Sequence, residues 1–519
     1  MRAQDRERAL HAVQSRVIRR ALAGDLEGLL ADAVFVEQQR VHELPEGEER
    51  DANIAFWQRV RRALASSSRE EREAVLADVV ARYARAMAGN LDDRLFGFAR
   101  KVVPPAMALL LGTSSPKLLV RGFRRDLEAI VTVDGETEAL RRISRLGSVM
   151  VAPTHQSNLD SVLVGWALAR LGLPPFLYAA ASNLFEVPVF GRIMKNMGAY
   201  RVDRNRTDQL YTGVLREYAT VSLELGYTNL VFPGGARSRS GAIDPHTQLD
   251  LLGTGLSAYQ NCLAARAARR VFVVPCVLSY RLVLEAEWLI EDYLKGEGRS
   301  RYLITEDELP QPRRLMDFAA NALSLDARIY VTFGAPLDPF GNPVDSEGRS
   351  VDPRGRPVDT ELYVARDGVL DQDAQRDGEY TRELGEALRR AQLRGNVIYS
   401  THVLARAAMN LFRRRHPGLD LYMLLRACGR EPLLDLGLVY GEVDRIMGEL
   451  GPLAGSGALR IDPSVARSSA EELVRDALRT FVSYHSRPAV RRAGAELVAA
   501  APNLLLYYSN RLEGYPLHV

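Results

Sequence analysis

Residues 148–170 read SVMVAPTHQSNLDSVLVGWALAR, and this stretch decides the fold. Ser148–Pro153 is a short apolar run of the kind that forms a buried strand. From Leu159 to Arg170 apolar residues recur at helical spacing, with Ser157 or Asn158 as N-cap candidates. A strand that runs through a polar turn into a helix is the repeating unit of an α/β layer.

The same alternation extends outward. Candidate strands are Ala129–Val133, Phe176–Ala180, Thr228–Phe232, Val271–Leu278 and Ile329–Phe333, with Gln209–Leu225 as a further helix. Strands alternating with helices predict an α/β fold on a largely parallel sheet. Residues 1–128 read as mainly helical, for example Arg69–Met87. Residues 336–380 begin with PLDPFGNPVDSEGRSVDPRGRPVD, rich in Pro, Gly and Asp, and predict a long loop or insertion. Residues 381–519 turn helical again: Thr381–Leu393 and Ala470–Tyr484 are amphipathic, and Val490–Ala500 continues in kind. No internal repeat is evident. The plan is a helical front (1–128), an α/β domain (129–335), a loop (336–380) and a helical tail (381–519).

Composition narrows the function. The chain has 519 residues, 47% hydrophobic and 26% charged, which suits a globular protein with additions to a core domain. Its net charge of +3 argues for no nucleic-acid partner. Cys262, Cys276 and Cys428 are scattered, without zinc spacing, so neither a disulfide framework nor a metal site is expected, and a reducing compartment is. The N-terminal residues MRAQDRERALHAVQSRVIRR lack the apolar centre of a secretory signal. No run approaches the roughly 20 apolar residues that span a bilayer. Any membrane contact is therefore expected to be peripheral, through Phe96–Leu111 or Leu404–Arg415; the competing reading packs both into the core.

Four segments carry chemistry. In His155-x4-Asp160 the strand-to-helix turn can bring both side chains together at the carboxyl end of a strand, where ligands of open α/β sheets collect. The carboxylate would orient one imidazole nitrogen and leave the other to take a proton. There is no serine partner, so the nucleophile would be the substrate's own hydroxyl. Taken singly, the spacing also fits a structural histidine beside an early-helix carboxylate. Gly198–Arg204 is a short strand with Arg201 and Arg204 as anion ligands, or as surface ion-pair partners. Phe232–Gly241 (FPGGARSRSG) follows a strand, and Arg237 and Arg239 could grip one phosphate with backbone N–H groups assisting. Val273–Tyr280 reads as a buried strand, with Cys276 a small core residue and not a nucleophile.

Taken in this order, the four segments resemble the glycerolipid acyltransferase superfamily, and within it the membrane-associated bacterial glycerol-3-phosphate 1-O-acyltransferases. His155 and Asp160 match the His-x4-Asp block, Gly198–Arg204 the Gly-aromatic-basic block, Gly235–Arg239 the Gly-Gly-Arg-Ser-Arg-type block, and Val274–Tyr280 the hydrophobic block with proline. Tyr211–Tyr218, Asp244-Pro245 and Asn503–Leu512 are similar too. The likeness is dense over about 145–285. It implies an α/β acyltransferase domain over 129–335 that moves a fatty acyl group from acyl-CoA or acyl-carrier protein to the sn-1 hydroxyl of glycerol 3-phosphate. The product would be lysophosphatidate. His155 would be the general base and Asp160 its partner. Arg204, Arg237 and Arg239 would hold the acceptor phosphate, with Gly235 and Ser238 also among the substrate-binding residues. Neither a metal nor a cofactor is implied beyond the acyl thioester. The expected setting is the cytoplasmic face of the inner (plasma) membrane, held peripherally. One position departs from the pattern: Gly234 stands where an acidic residue is usual. That keeps lysophosphatidate or dihydroxyacetone phosphate open as acceptors, along with a weakly active membrane-associated relative. A hydrolase using His155 toward water is a further alternative.

Overall fold

The computed structural model describes the chain except residues 98–126 and 299–327 and positions 67, 93, 96, 129, 186, 187, 204, 246, 367, 368, 372, 483, 484, 486 and 519. At its centre is a seven-stranded sheet. The strands are β1 (Val131–Gly135), β2 (Gly147–Pro153), β3 (Phe176–Ala181), β4 (Ala199–Val202), β5 (Thr228–Leu230), β6 (Arg270–Tyr280) and β7 (Ile329–Phe333). Their order is β1-β7-β6-β2-β5-β3-β4. Every neighbouring pair is parallel except β6 with β7. All six strands expected from the sequence are present, and β4 lies in the Gly198–Arg204 segment.

The central strands read as unbroken apolar runs because both of their faces are covered. Val149 and Val151 of β2 join one core cluster with Val274 and Cys276, while Met150 and Ala152 join another with Val273, Leu384 and Leu388. Pro275 accepts from Gly334 N–H at 2.8 Å and has no N–H to donate in return. It falls between the bridge Val273↔Leu337 and the start of β7 pairing at Cys276, where a missing N–H is tolerated.

Helices flank the sheet in two sets. The first set is α1 (Ala3–Ala23), α2 (Leu26–Glu43), α3 (Glu48–Ser66) and α4 (Arg69–Met87). They share a core with the helix Gln209–Glu224 and with Leu177 and Tyr200 of β3 and β4. Arg16 reaches across to Glu217 and Glu224 at 2.9 and 2.7 Å. Buried Glu37 of α2 meets Arg206 at 2.8 Å in the loop after β4. The second set, Ala374–Gly395, Ser400–Arg415, Leu436–Gly455, Ala470–Val482 and Pro502–Ser509, continues the core of the sheet itself.

Three expectations are corrected. Leu404–Arg415 is no membrane surface: in the helix Ser400–Arg415 every residue from Ser400 to Asn410 is buried, together with Phe412. The other candidate, Phe96–Leu111, lies outside the described residues apart from Gly97. Val490–Ala500 is not helical but a β-hairpin, Val490–Ala493 against Glu496–Ala499, with Leu433–Asp435 as a third strand. Its two-residue Gly494–Ala495 loop favours the tight turn over a helix. Finally, residues 338–358 contain a repeat. DPFGNPV, DSEGRSV and DPRGRPV follow one another, and each folds as the same turn. Asp338, Asp345 and Asp352 each accept two backbone N–H bonds with one carboxylate oxygen, at 2.8–2.9 Å. Such aspartate turns substitute side-chain acceptors for a strand partner.

Candidate active site

The carboxyl ends of β2 and β5 converge on one pocket, and β6 supports the turn after β2. Strand β2 delivers Thr154 and His155. Thr154 N–H donates to Cys276 O at 3.0 Å, and Thr154 Oγ1 accepts from Leu278 N at 3.0 Å. These bonds splice the turn onto β6. His155 Nδ1 lies 2.8 Å from Asp160 Oδ2. Asp160 opens the helix Asp160–Arg170 and is fully buried. The same Oδ2 accepts from Gln156 N at 2.6 Å and Ser157 N at 2.9 Å, while Tyr280 OH donates to Oδ1. With its oxygens already held by three other donors, Asp160 Oδ2 serves as the acceptor for Nδ1–H, and Nε2 keeps its lone pair. Phe232 stacks on the imidazole at 3.9 Å between centroids, tilted by 20°, which fixes the plane of the ring.

The glycine turn after β5 lies directly against the histidine turn. Ser238 N–H donates to His155 O at 2.7 Å, and Ser238 Oγ donates to Ala242 O at 2.7 Å. Ser238 thereby ties the turns together through its backbone, and its hydroxyl is engaged internally. Gly235 has φ +68°, and a Cβ there would fall 2.1 Å from Gln248 Oε1. A side chain there would have to displace the Gln248 amide and adopt the left-handed backbone that favours glycine.

The two arginines of this turn rest on the helix Ala286–Gly298. Arg237 is buried, 3.6 Å from Glu285 and 5.3 Å above the Trp288 ring. Arg239 is half-exposed and meets Asp292 at 3.1 Å. Arg201 ends β4 at a separate cavity that it shares with Arg192 and Lys195, and Arg204 lies outside the described residues. Thus His155, Asp160, Gly235, Arg237, Ser238 and Arg239 come together, whereas Arg201 does not join them.

Several residues of the site received no role from the sequence. Glu285 accepts from Ser157 Oγ at 2.9 Å and Asn158 N at 3.0 Å, so one carboxylate holds the histidine turn and Arg237 at once. Burial pushes its pKa up, opposed by Arg237 and by those two hydrogen bonds. Its only local signal is an acid in the turn after β6. Arg511 comes from the C-terminal segment. Its Nε donates to Asn396 Oδ1 at 2.7 Å and its Nη2 to Leu278 O at 2.9 Å. Its Nη1 lies 2.8 Å from the Gln156 amide, whose oxygen faces it as acceptor. Burial lowers the pKa of this guanidinium. Gln392, donating to Ala152 O at 3.2 Å, and Leu388 complete the wall. Cys276 is fully buried, and burial raises its thiol pKa, as suits a core residue. Among the described residues no cluster of His, Cys, Asp or Glu could hold a metal ion, and no helix is long and apolar enough to cross a membrane.

Comparison with known proteins points to an acyltransferase domain. Residues 132–279 match the acyltransferase family model. A glycerol-3-phosphate acyltransferase of Pseudomonas paraeruginosa is 28% identical over 202 residues, 38% of this chain and 22% of the relative. The enzyme of that name from Pseudomonas aeruginosa matches to the same extent. The chain therefore spans about a fifth of the length of the curated relatives it matches. The crystal structure of the 1-acyl-sn-glycerophosphate acyltransferase of Thermotoga maritima covers 56% of this chain and 80% of its own, at 15% identity. Its TM-score of 0.25 is too low to bear on the fold.

Proposed function

On the premise that residues 132–279 are an acyltransferase domain of the glycerolipid acyltransferase superfamily, we propose that this chain acylates the sn-1 hydroxyl of glycerol 3-phosphate. The observation that carries the reading is the 2.8 Å contact of His155 Nδ1 with buried Asp160, beside a turn that bears two arginines.

The steps follow from that arrangement. Nε2 of His155 takes the proton of the acceptor hydroxyl as its oxygen attacks the thioester carbonyl. Asp160 stabilises the imidazolium that forms. The tetrahedral intermediate then collapses, the carbon–sulfur bond breaks, and the imidazolium returns its proton to the departing thiolate. An ester and a free thiol result. Arg239, half-exposed on the same turn, takes the acceptor phosphate, with Arg237 and Arg204 assisting. Gly235 and Ser238 hold the shape of the turn that presents them. Acyl-CoA or acyl-carrier protein serves as donor. Because the acyl chain and product are amphiphiles, the chain works peripherally on the cytoplasmic face of the plasma membrane.

Thiol release from acyl-CoA, followed with and without glycerol 3-phosphate, tests the proposal. His155→Ala is expected to cut acceptor-dependent release by at least about a thousandfold, the scale of losing a general base and its aligned partner. Undiminished release by His155→Ala, or release that ignores the acceptor, would refute it.

A further inference from the structure

The absent side chain of Gly234 leaves a space that another residue fills. A Cβ built on Gly234 would stand 2.8 Å from Asp244 Oδ2 and 3.5 Å from its Cγ. The carboxyl group of Asp244 thus lies where a side chain at position 234 would begin. The loop between them accounts for this placement. Gln248 N–H donates to Pro233 O at 2.7 Å and closes the loop at its base. Ala242 and Ile243 are buried and anchor the stretch just before Asp244. Asp244 itself is half-buried and lines the same cavity as His155.

Charge is divided across the glycine turn: Asp244 lines the cavity with His155 and Arg511, whereas Arg237 and Arg239 lie outside it, against Glu285 and Asp292. A phosphate belongs beside the arginines of the turn and away from a carboxylate. An ionised Asp244 can only accept hydrogen bonds, so it suits a hydroxyl. Glycerol 3-phosphate has two hydroxyls, and acylation uses one. Dihydroxyacetone phosphate carries a ketone in place of the middle hydroxyl, and its oxygen would face the carboxylate lone pair to lone pair. Lysophosphatidate has no hydroxyl beyond the one to be acylated.

Building on the functional reading above, we infer that Asp244 is a specificity-determining residue that accepts the hydrogen bond of the acceptor's spare hydroxyl. The selectivity of the pocket for a phosphate-bearing polyol over its ketone then resides in one oxygen pair.

Steady-state kinetics of the full chain with one acyl-CoA and either glycerol 3-phosphate or dihydroxyacetone phosphate tests this. Asp244→Asn keeps the shape but adds a donor. It is expected to raise KM for glycerol 3-phosphate about ten- to a hundredfold, the scale of one hydrogen bond to a charged group. The KM for acyl-CoA should stay unchanged, and the preference for glycerol 3-phosphate over the ketone should fall by a similar factor. The reciprocal pair Gly234→Asp with Asp244→Gly is expected to recover that preference. If Asp244→Asn lowers the melting temperature, the reciprocal pair decides: recovery upholds the inference and failure to recover overturns it. An active wild type with an unchanged acceptor ratio in Asp244→Asn overturns this inference alone. A wild type that does not use glycerol 3-phosphate overturns the functional reading as well.

Discussion

The helices of residues 3–87 and those of residues 374–509 both flank the sheet, yet only the second set lines the His155 pocket. The N-terminal four helices pack around Trp57, Val79 and Tyr83 in a core of their own with the helix Gln209–Glu224. Their link to the chemistry is indirect: Glu37 holds Arg206, and Tyr83 OH reaches Asp208 at 3.3 Å, in the loop after β4. The C-terminal helices instead extend the core of the sheet, and Leu388, Gln392 and Arg511 stand in the wall of the pocket. The difference teaches that similar helical patterns in a sequence can serve as scaffold on one side and as part of the site on the other.

Substitutions can break or sharpen this contrast. The largest effect on stability is expected from Trp57→Ala, which empties the centre of the N-terminal core and should cost about 3–5 kcal/mol. Its signature is a lower denaturation midpoint with kcat/KM of the folded fraction unchanged. A large loss of kcat/KM without unfolding would show that the N-terminal helices shape the site directly.

Arg511→Met should behave in the opposite way. It strips donors from Leu278 O, Asn396 and Gln156 at once, with a stability cost of about 2–3 kcal/mol. It also frees the residue next to His155, so kcat should fall about a hundredfold, with Arg511→Lys recovering part of the loss. If kcat of folded Arg511→Met equals that of the wild type, the C-terminal segment is scaffold only.

The smallest effect concerns pH. His402 is buried and His485 half-buried in the C-terminal region, and burial lowers each pKa to about 3. An unfolded histidine titrates near 6.5. Below that pH the unfolded chain binds protons that the folded chain refuses. Their contribution to stability is therefore intact above about 6.5 and is lost as pH falls toward 3. Replacing either with Gln should flatten the acid limb of stability by about 1.4 kcal/mol per pH unit. Urea denaturation at a series of pH values between 6.5 and 4 checks this; parallel limbs for variant and wild type would mean that neither group is held neutral.

Much of the fold was legible in sequence because the central strands are buried on both faces and so read as apolar runs. The hairpin at Val490–Ala499 was not. Its VRRAGAELVA pattern fits both a helical and an extended stripe, and pairing with Leu433–Asp435 decided between them. The aspartate turns of residues 338–358 escaped because each seven-residue repeat carries an aspartate, a glycine and only one regularly placed apolar residue, Val344, Val351 or Val358, which matches neither the strand nor the helix period. Leu404–Arg415 has the apolar content of a lipid-facing helix, and only its neighbours make it core.

The sequence by itself determined the strand–turn–helix unit and, within it, His155 and Asp160. Five residues apart, they are joined by local geometry that the turn imposes whatever surrounds it. It also placed Gly235, Arg237, Ser238 and Arg239 at the end of a buried strand. Only the tertiary structure decided what stands around them: Glu285 clamping two turns, Asp244 over Gly234, and Arg511 behind Gln156. These contacts join segments far apart in the chain, and no local pattern encodes them. Chain closure and the packing of a shared core bring them into one pocket.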